Sequence, residues 1–572
     1  MGEQLRGTGA GPAEQRYDAV VVGSGVGGLV TAGYLAADGR RVLVLEQHDV
    51  AGGNAHVFRR RRRYEFDVGT HYLGDCGPDG LLPSVLSGLG VAGRVRFRPL
   101  DNVGGFDRII TPTALVDVPA GWDRYRDRLA AALPAEADAV HRFVDLATAV
   151  AGAGRASLLG TPMVELFRRS PQTMRWNRRT LGQALDHCGL SARGRTLLAA
   201  QAGNYGAMPD DVGLAEHVTM MDHYLRGAYY PEGGGQALVA AFVEALEAYG
   251  GELRTRCEAR RILIEKGRAT GVELTDGTRV LAPLVVSNAD YRSTVLDLCG
   301  GEEAFPADLV ARTRAATMRD AVVAVYVALD TELPDLPNAN IWWHATDDME
   351  GAHAEMLDHY ARTGTLDRIP QLAFSFASVK DAGSPAVCPP GHSNFQLMTI
   401  LPSGEGFWGT GGGPLAGGPY RRRPAYLARK REVTELVLDA AEQVLGPFRD
   451  RITHVETATP LTNERYIRAS GGTPYGMATW GAGRQRPDVR TEVEGLYVVG
   501  QNTRHGSGMA GVAAGGMAAV SHILGRPLLS EVFAGTVLGD PARLPRREAG
   551  WDPLRVSRGR ARQHAKGLAR IG

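Results

Sequence analysis

What this sequence most clearly lacks is paired cysteine. Its five cysteines, Cys76, Cys188, Cys257, Cys299 and Cys388, are odd in number and far apart, with no pair at metal or redox spacing. That excludes a disulfide framework and fits a reducing compartment. No uninterrupted apolar run reaches the roughly 20 residues that a membrane-spanning helix needs, and the first residues, "MGEQLRGTGAGPAEQR", lack the apolar core of a secretory leader. Cytoplasmic residence is expected, with peripheral membrane contact left open. Net charge is missing too. Lys plus Arg number 64 against 63 Asp plus Glu, so any nucleic acid or anionic surface would have to find a local patch. No internal repeat of solenoid period is visible.

What is present is a long chain rich in glycine. The 572 residues, with 44 % apolar, 22 % charged and 74 glycines, suit a large α/β body that needs close backbone approach in many places. "YDAVVV" (Tyr17 to Val22) reads as a buried strand, "VGGLVTAGYLAADG" as a helix stopping at Gly39, and "RRVLVLE" as a second strand ending on Glu46. Residues 110 to 230 read as mostly helical with a break at Pro134. A helix is expected from about Gln236 to Tyr249, then strands with a hairpin turn at Asp276 and Gly277. An antiparallel sheet is expected between Ala321 and Leu401, followed by the amphipathic helix "YLARKREVTELVLDAAEQVLG".

"GSGVGG" places Gly23, Gly25 and Gly28 at G-x-G-x-x-G spacing after the first strand, with Glu46 ending the next. The first glycine permits the tight turn and the second lets a pyrophosphate approach backbone N–H groups at a positive helix end. The third allows close helix–strand packing, and the Glu46 carboxylate can accept from ribose hydroxyls. This is a dinucleotide site. The motif alone does not choose between flavin and nicotinamide, although an acid at Glu46 argues against a bound 2′-phosphate.

Six segments together, "VVVGSGVGGLVTAGYLAADGRRVLVLEQHDVAGGNAHVF", "YEFDVGTHYLG", "YYPEGGGQALVAAFVEAL", "VVSNAD", "TPLTNERYIRASGGTPYG" and "GLYVVGQNTRHGSGMAGVAAGGMAA", resemble in content and order the superfamily of phytoene desaturases, carotenoid isomerases and retinol saturases. The second and fifth look closer to retinol saturases. The resemblance covers residues 16 to 525 and implies FAD as cofactor. It also implies an α/β fold: a discontinuous Rossmann-type FAD-binding domain (16–110, 230–300, 488–530) and a substrate domain of mixed antiparallel sheet and helices (111–229, 301–487). A flexible leader (1–15) and a basic tail (531–572) complete the division. The cofactor residues it implies are Gly23, Ser24, Gly25, Gly28, Glu46, Gln47, Gly53, Asn54, Thr70, Ala259, Asn288, Gly500, Gln501, Met509, Ala510 and Val512. The late glycine segment would then be small in side chains because its backbone lies against the flavin.

Flavin chemistry at a carbon–carbon bond needs an acid or base near the ring. The resemblance puts "GTHYL" there, making His71 and Tyr72 candidates, since histidine titrates near neutral pH and a phenol can deliver a proton. Where many relatives carry His-Pro-Gly this chain has "RHGSG", so Arg504 and His505 are candidates as well; a cation there would favour an anionic reduced flavin, and the alternative is that Arg504 points to solvent. Tyr205, Asp222, His223, Tyr224, Tyr229, Glu464 and Tyr466 could line a substrate channel. Asp222 and His223 are adjacent and His217 and His223 six apart, which is poor metal spacing, so no metal is expected. The arginine run Arg59 to Arg63 has no interleaved aromatics and reads as a solvated turn, not a nucleic-acid site. From Pro541 to Gly572, nine basic against two acidic residues with sparse apolar content predict a largely disordered tail.

The expected function is FAD-dependent addition or removal of hydrogen across double bonds of a lipophilic polyene or isoprenoid, leaning to saturation. A flavin-dependent polyene isomerase without net redox change, an amine oxidase, and a non-catalytic isoprenoid escort are the alternatives. The oligomeric state is left unknown.

Overall fold

The computed structural model describes residues 14–560 apart from 170, 177, 334, 418 and 479–485. Ala19–Val22 is fully buried because its valine-rich run packs on both faces, and it takes the centre of a five-stranded parallel sheet. The order is Glu252–Thr255, Val42–Glu46, Ala19–Val22, Val285–Ser287, Leu496–Val498, so three distant parts of the chain meet at its middle. The helix Val26–Ala37 packs against Gly234–Ala248 and Gly508–Leu524 over this sheet. Small residues set that approach: a Cβ on Gly516 would lie 2.7 Å from the Gly27 carbonyl oxygen.

A second, seven-stranded mixed sheet runs Ile452–Ala458, Ala321–Leu329, Ser393–Leu401, Gln371–Ser375, Asn340–His344, Asp107–Thr111, Ala114–Val118. All its pairings are antiparallel except Asn340–His344 with Asp107–Thr111. Strand alternation divides its side chains: Val323, Val325 and Val327 share a core with the helix Pro424–Leu445, whereas Val322, Ala324 and Tyr326 face a central cavity. Helices Trp122–Ala132, Ala137–Leu158, Leu181–Cys188 and Leu214–Leu225 build a further core with Ile109, Val116 and Val118 of its other edge. The Asp276–Gly277 turn joins antiparallel strands, with Gly277 at φ 84°.

Two basic stretches find partners. The arginine run caps the hairpin Val57–Arg60/Tyr64–Asp67; Arg61 and Arg62 form its left-handed tip, while Arg59 meets Glu65 and Asp552, and Arg60 meets Glu456. The expectation of a largely disordered tail is corrected as far as Arg560. Arg547 and the Trp551 indole both donate to Glu244, Asp552 takes a bidentate pair from Arg59, and Arg560 meets Glu247. Composition misled because acids on the body anchor this stretch where apolar contacts would otherwise be needed; the rest of the tail, and residues 1–13 of the leader, lie outside the described residues. Among the described residues no helix is long and apolar enough to cross a membrane.

Candidate active site

The parallel sheet and the seven-stranded sheet enclose a cavity of about 1850 Å³, above the roughly 300–1,000 Å³ of an ordinary small-molecule pocket. One end is backbone. Gly25, Val26 and Gly27 open the first helix onto it, Gly53 and Asn54 flank them, and Asn288, Gly500, Gln501, Met509, Ala510 and Val512 complete that wall. Gly23 adopts φ 91°, a turn that L side chains resist. A Cβ on Gly28 would lie 2.6 Å from the Gly23 carbonyl oxygen and one on Gly25 2.5 Å from Asn288 Nδ2. Asn288 ties the wall together, its Oδ1 accepting from the Gly28 N–H at 3.1 Å.

Glu46 sits just beneath this loop. Its Oε2 accepts from the Ser24 N–H (3.0 Å) and hydroxyl (2.6 Å), and its Oε1 from the His48 N–H (2.7 Å). These residues fit a dinucleotide, because the bare helix end and the glycine cradle leave N–H groups where a pyrophosphate can reach them. Gly23, Ser24, Gly28 and Glu46 support the cavity wall from behind. Gln47 and Ala259 do not line the cavity either; Gln47 accepts from Arg468 at 3.0 Å. Thr70 is buried, its Oγ1 without a hydrogen-bond partner among the described residues and so close to Gly235 that a Cβ there would lie 2.1 Å away.

The late glycine segment divides its tasks. Met509, Ala510 and Val512 face the cavity, whereas Gly516 presses on the first helix. Smallness there serves helix packing as well as the cavity.

The other end is aromatic. Tyr72 stacks on Tyr224 with centroids 4.0 Å apart, and Phe374, Trp342, Tyr326 and Tyr475 line the same space. The Tyr72 hydroxyl donates to Asp107 Oδ2 (3.2 Å) and accepts from Asn204 Nδ2 (2.8 Å). Burial and the Asp107 carboxylate raise this phenol well above its usual value. Burial, reinforced by the Lys380 ammonium, holds the His71 imidazole down at about 3, so it is neutral at physiological pH; it lines the cavity, and its Nδ1 has no hydrogen-bond partner among the described residues. His505 is likewise neutral, held at about 4 by burial and Arg504. The Arg504 side chain is 62 % exposed and pairs with Asp488 at 2.7 Å, the solvent-facing alternative for this residue.

Most of the channel candidates line the cavity, and several are also tied down by hydrogen bonds to their surroundings. The Asp222 carboxylate serves the Trp122 indole and Arg155, His223 Nε2 accepts from the Gly74 N–H, and Glu464 accepts from the Leu415 N–H. Tyr205 bonds His217 at 3.1 Å. Tyr205, Asp222, His223, Tyr224 and Tyr466 line the cavity; Tyr229 and Glu464 do not.

Sequence reasoning missed a buried polar group behind the aromatic wall. Lys380 donates to the His71 carbonyl (2.7 Å), to Ser375 Oγ (2.8 Å) and to Asn340 Oδ1, and Asn340 Nδ2 donates to Asp107 Oδ1 at 3.0 Å. Burial lowers Lys380 to about 7 and raises Asp107 to about 6. One signal was available: lysine is scarce here (Lys266, Lys380, Lys430, Lys566), and Lys380 follows an apolar stretch.

The comparisons with known proteins agree with this geometry. Residues 21–89 match the model of an NAD(P)-binding Rossmann-like domain and residues 104–328 that of an FAD binding domain. The chain is 29 % identical to an all-trans-retinol 13,14-reductase of Danio rerio over 90 % of its length and 87 % of the relative's. It is 25 % identical to prolycopene isomerase 1 of an Oncidium hybrid cultivar, covering 89 % and 84 % respectively. A crystal structure of an oxidoreductase from Methanosarcina mazei shares the fold with a TM-score of 0.59 at 19 % identity, covering 90 % of this chain and all of that one. With a dinucleotide cradle, a Rossmann-type sheet and these relatives, the chain is an FAD-dependent oxidoreductase whose sequence matches the superfamily that contains phytoene desaturases, carotenoid isomerases and retinol saturases.

Proposed function

We propose that this protein reduces a carbon–carbon double bond in a lipophilic conjugated polyene or other isoprenoid. The observation that carries the reading is the two-ended cavity, a backbone cradle at one end and, at the other, an aromatic wall in which the Tyr72 phenol is bonded to the buried Asp107 carboxyl group. When bound, FAD supplies hydride chemistry at carbon. Its holders in this reading are the glycine turn Gly23 to Gly28, Glu46, Asn288, Gly500, Gln501 and the helix start at Met509 and Ala510, which assigns the segments 16–110, 230–300 and 488–530 to the cofactor. The segments 111–229 and 301–487 then serve the substrate. The aromatic wall orients a flat chain and keeps water out, and Tyr72 holds the proton that alkene reduction requires.

A second reading, isomerisation without net redox change, is favoured by the likeness to prolycopene isomerase. The source of substrate belongs to the proposal too. Leu159, Val164 and Phe167 are 41 %, 67 % and 56 % exposed beside the cavity-lining stretch from Arg155 to Gly160, with Arg168 and Arg169 adjoining, a face suited to an anionic lipid surface.

The test is an absorption spectrum of the purified protein, then anaerobic photoreduction and addition of a retinoid. Flavin near equimolar with protein, reoxidised as the polyene absorption shifts to shorter wavelength, is the expected result. A polyene that changes geometry while the flavin stays reduced would replace reduction by isomerisation, and a protein that takes up no flavin would end both readings.

A further inference from the structure

The aromatic wall hides a carboxyl group. Asp107 opens the strand Asp107–Thr111, is 1 % exposed and does not line the cavity; Tyr72, which does, lies between the two. The partners of Asp107 are otherwise neutral: Asn340 Nδ2 on Oδ1 and Gln201 Nε2 on Oδ2 at 3.4 Å. Among the described residues no cation reaches it within ion-pair distance. The titratable groups facing it are Tyr72 and Tyr224 on the cavity side and Lys380, which is separated from it by the Asn340 amide and is also drawn toward Asp67. The paired strand offers only Val118 opposite.

A phenol oxygen has two acceptor positions and one proton. Asn204 fills one acceptor position. We propose that Asp107 is the proton source for Tyr72: as a carboxylic acid it donates into the second acceptor position and turns the phenolic proton into the cavity, toward a substrate alkene carbon. As a carboxylate it takes the phenolic proton itself, and the cavity sees only oxygen lone pairs. The inference rests on the reading of the protein as a double-bond reductase.

In the delivery step the Tyr72 O–H bond breaks as a C–H bond forms, and the Asp107 O–H bond breaks as the Tyr72 O–H bond re-forms. The carboxylate is left against Asn340 and regains its proton from solvent between turnovers. Bound FAD would supply the electron pair of the second new C–H bond as hydride, so that the alkene gains two hydrogens and two electrons in all. Asp107 is a positioning residue that acts through Tyr72. Burial places its titration near 6. Reduction therefore falls as pH rises through that value, whereas removal of a proton in the reverse direction would rise with it.

Infrared difference spectra of the full chain between about pH 5 and about pH 8 test the coupling without catalysis. A protonated-carboxyl band that is lost as pH rises, absent in Asp107→Asn and displaced in Tyr72→Phe, is expected. The buried Glu65 and Asp67 carboxyls, raised to about 7 and about 6 by burial, contribute bands that both variants keep; a spectrum in which Asp107→Asn removes no band, or in which the band it removes ignores Tyr72→Phe, overturns the proposal. Stopped-flow reoxidation of the reduced holoenzyme by a retinoid is the second arm. Asp107→Asn keeps its flavin, slows reoxidation on the order of 10²-fold and loses the pH limb, and Asp107→Glu regains a limb; an unchanged limb in Asp107→Asn also overturns it. If the wild-type flavin is not reoxidised by any polyene, the reductase reading fails, and the infrared arm still decides whether Asp107 governs the Tyr72 proton.

Discussion

The two ends of the cavity recognise their ligands by opposite means. At the nucleotide end the working groups are main-chain N–H donors exposed by missing side chains, and the few side chains present, Glu46 and Asn288, brace the loop. At the aromatic end every working group is a side chain, contributed by residues from Tyr72 to Lys380 and held by burial. Backbone recognition tolerates no added atom and is indifferent to pH. Side-chain recognition tolerates reshaping but depends on which of several shifted groups carries a proton.

That contrast breaks most sharply at Gly28. Gly28→Val would push carbon into the Gly23 carbonyl and Asn288, an overpacking cost of about 1–3 kcal/mol, which if borne by the bound state weakens flavin affinity roughly 5- to 140-fold at 1.4 kcal/mol per decade, read as flavin lost by absorbance on dilution; a variant that still binds flavin fully would mean the loop adapts. Tyr72→Phe should leave the flavin spectrum intact and slow turnover by roughly 10²–10⁴-fold, the usual worth of a positioned acid. Unchanged turnover would remove Tyr72 from the chemistry. His71→Gln sharpens the difference in pH response. The folded-state value of His71 lies near 3, below the unfolded one near 6.5, so its contribution to stability is present above about 6.5 and is lost as pH falls toward 3. The variant should lose less Tm than wild type between about pH 7 and about pH 5, and coincident curves would contradict the burial of that ring. Arg504→Gln is the smallest effect: an exposed pair is worth about 0–1 kcal/mol, and a flavin potential displaced by the change would place the guanidinium nearer the ring than its pairing with Asp488 implies.

The same contrast explains what could be read from residues alone. Gly23, Gly25, Gly28 and Glu46 belong to a local strand–turn–helix–strand unit whose spacing is itself the signal, and the alternating strands between Ala321 and Leu401 carry their period openly. Asp107, Asn340 and Lys380 carry no such spacing. They meet because Asn340–His344 pairs in parallel with Asp107–Thr111 while Lys380 arrives on the short helix Ala377–Lys380, a registration set by tertiary packing. The sequence pointed to the histidine at position 71, which lines the cavity, but not to its protonation, since burial and the Lys380 charge come from elsewhere in the fold.

The central order of the parallel sheet, with Ala19–Val22 beside Val285–Ser287 and that strand beside Leu496–Val498, bears on biosynthesis. At roughly 5–20 residues per second, about half a minute or more separates the emergence of the first glycine turn from that of the strand and helix that close its far wall. A ribosome-bound chain holds half a cradle for most of its synthesis, its long-range pairings waiting on the last segment. Flavin capture is consequently a late, near-terminal event, and supply of FAD once the last segment has emerged should decide how much of the newly made chain reaches its final form.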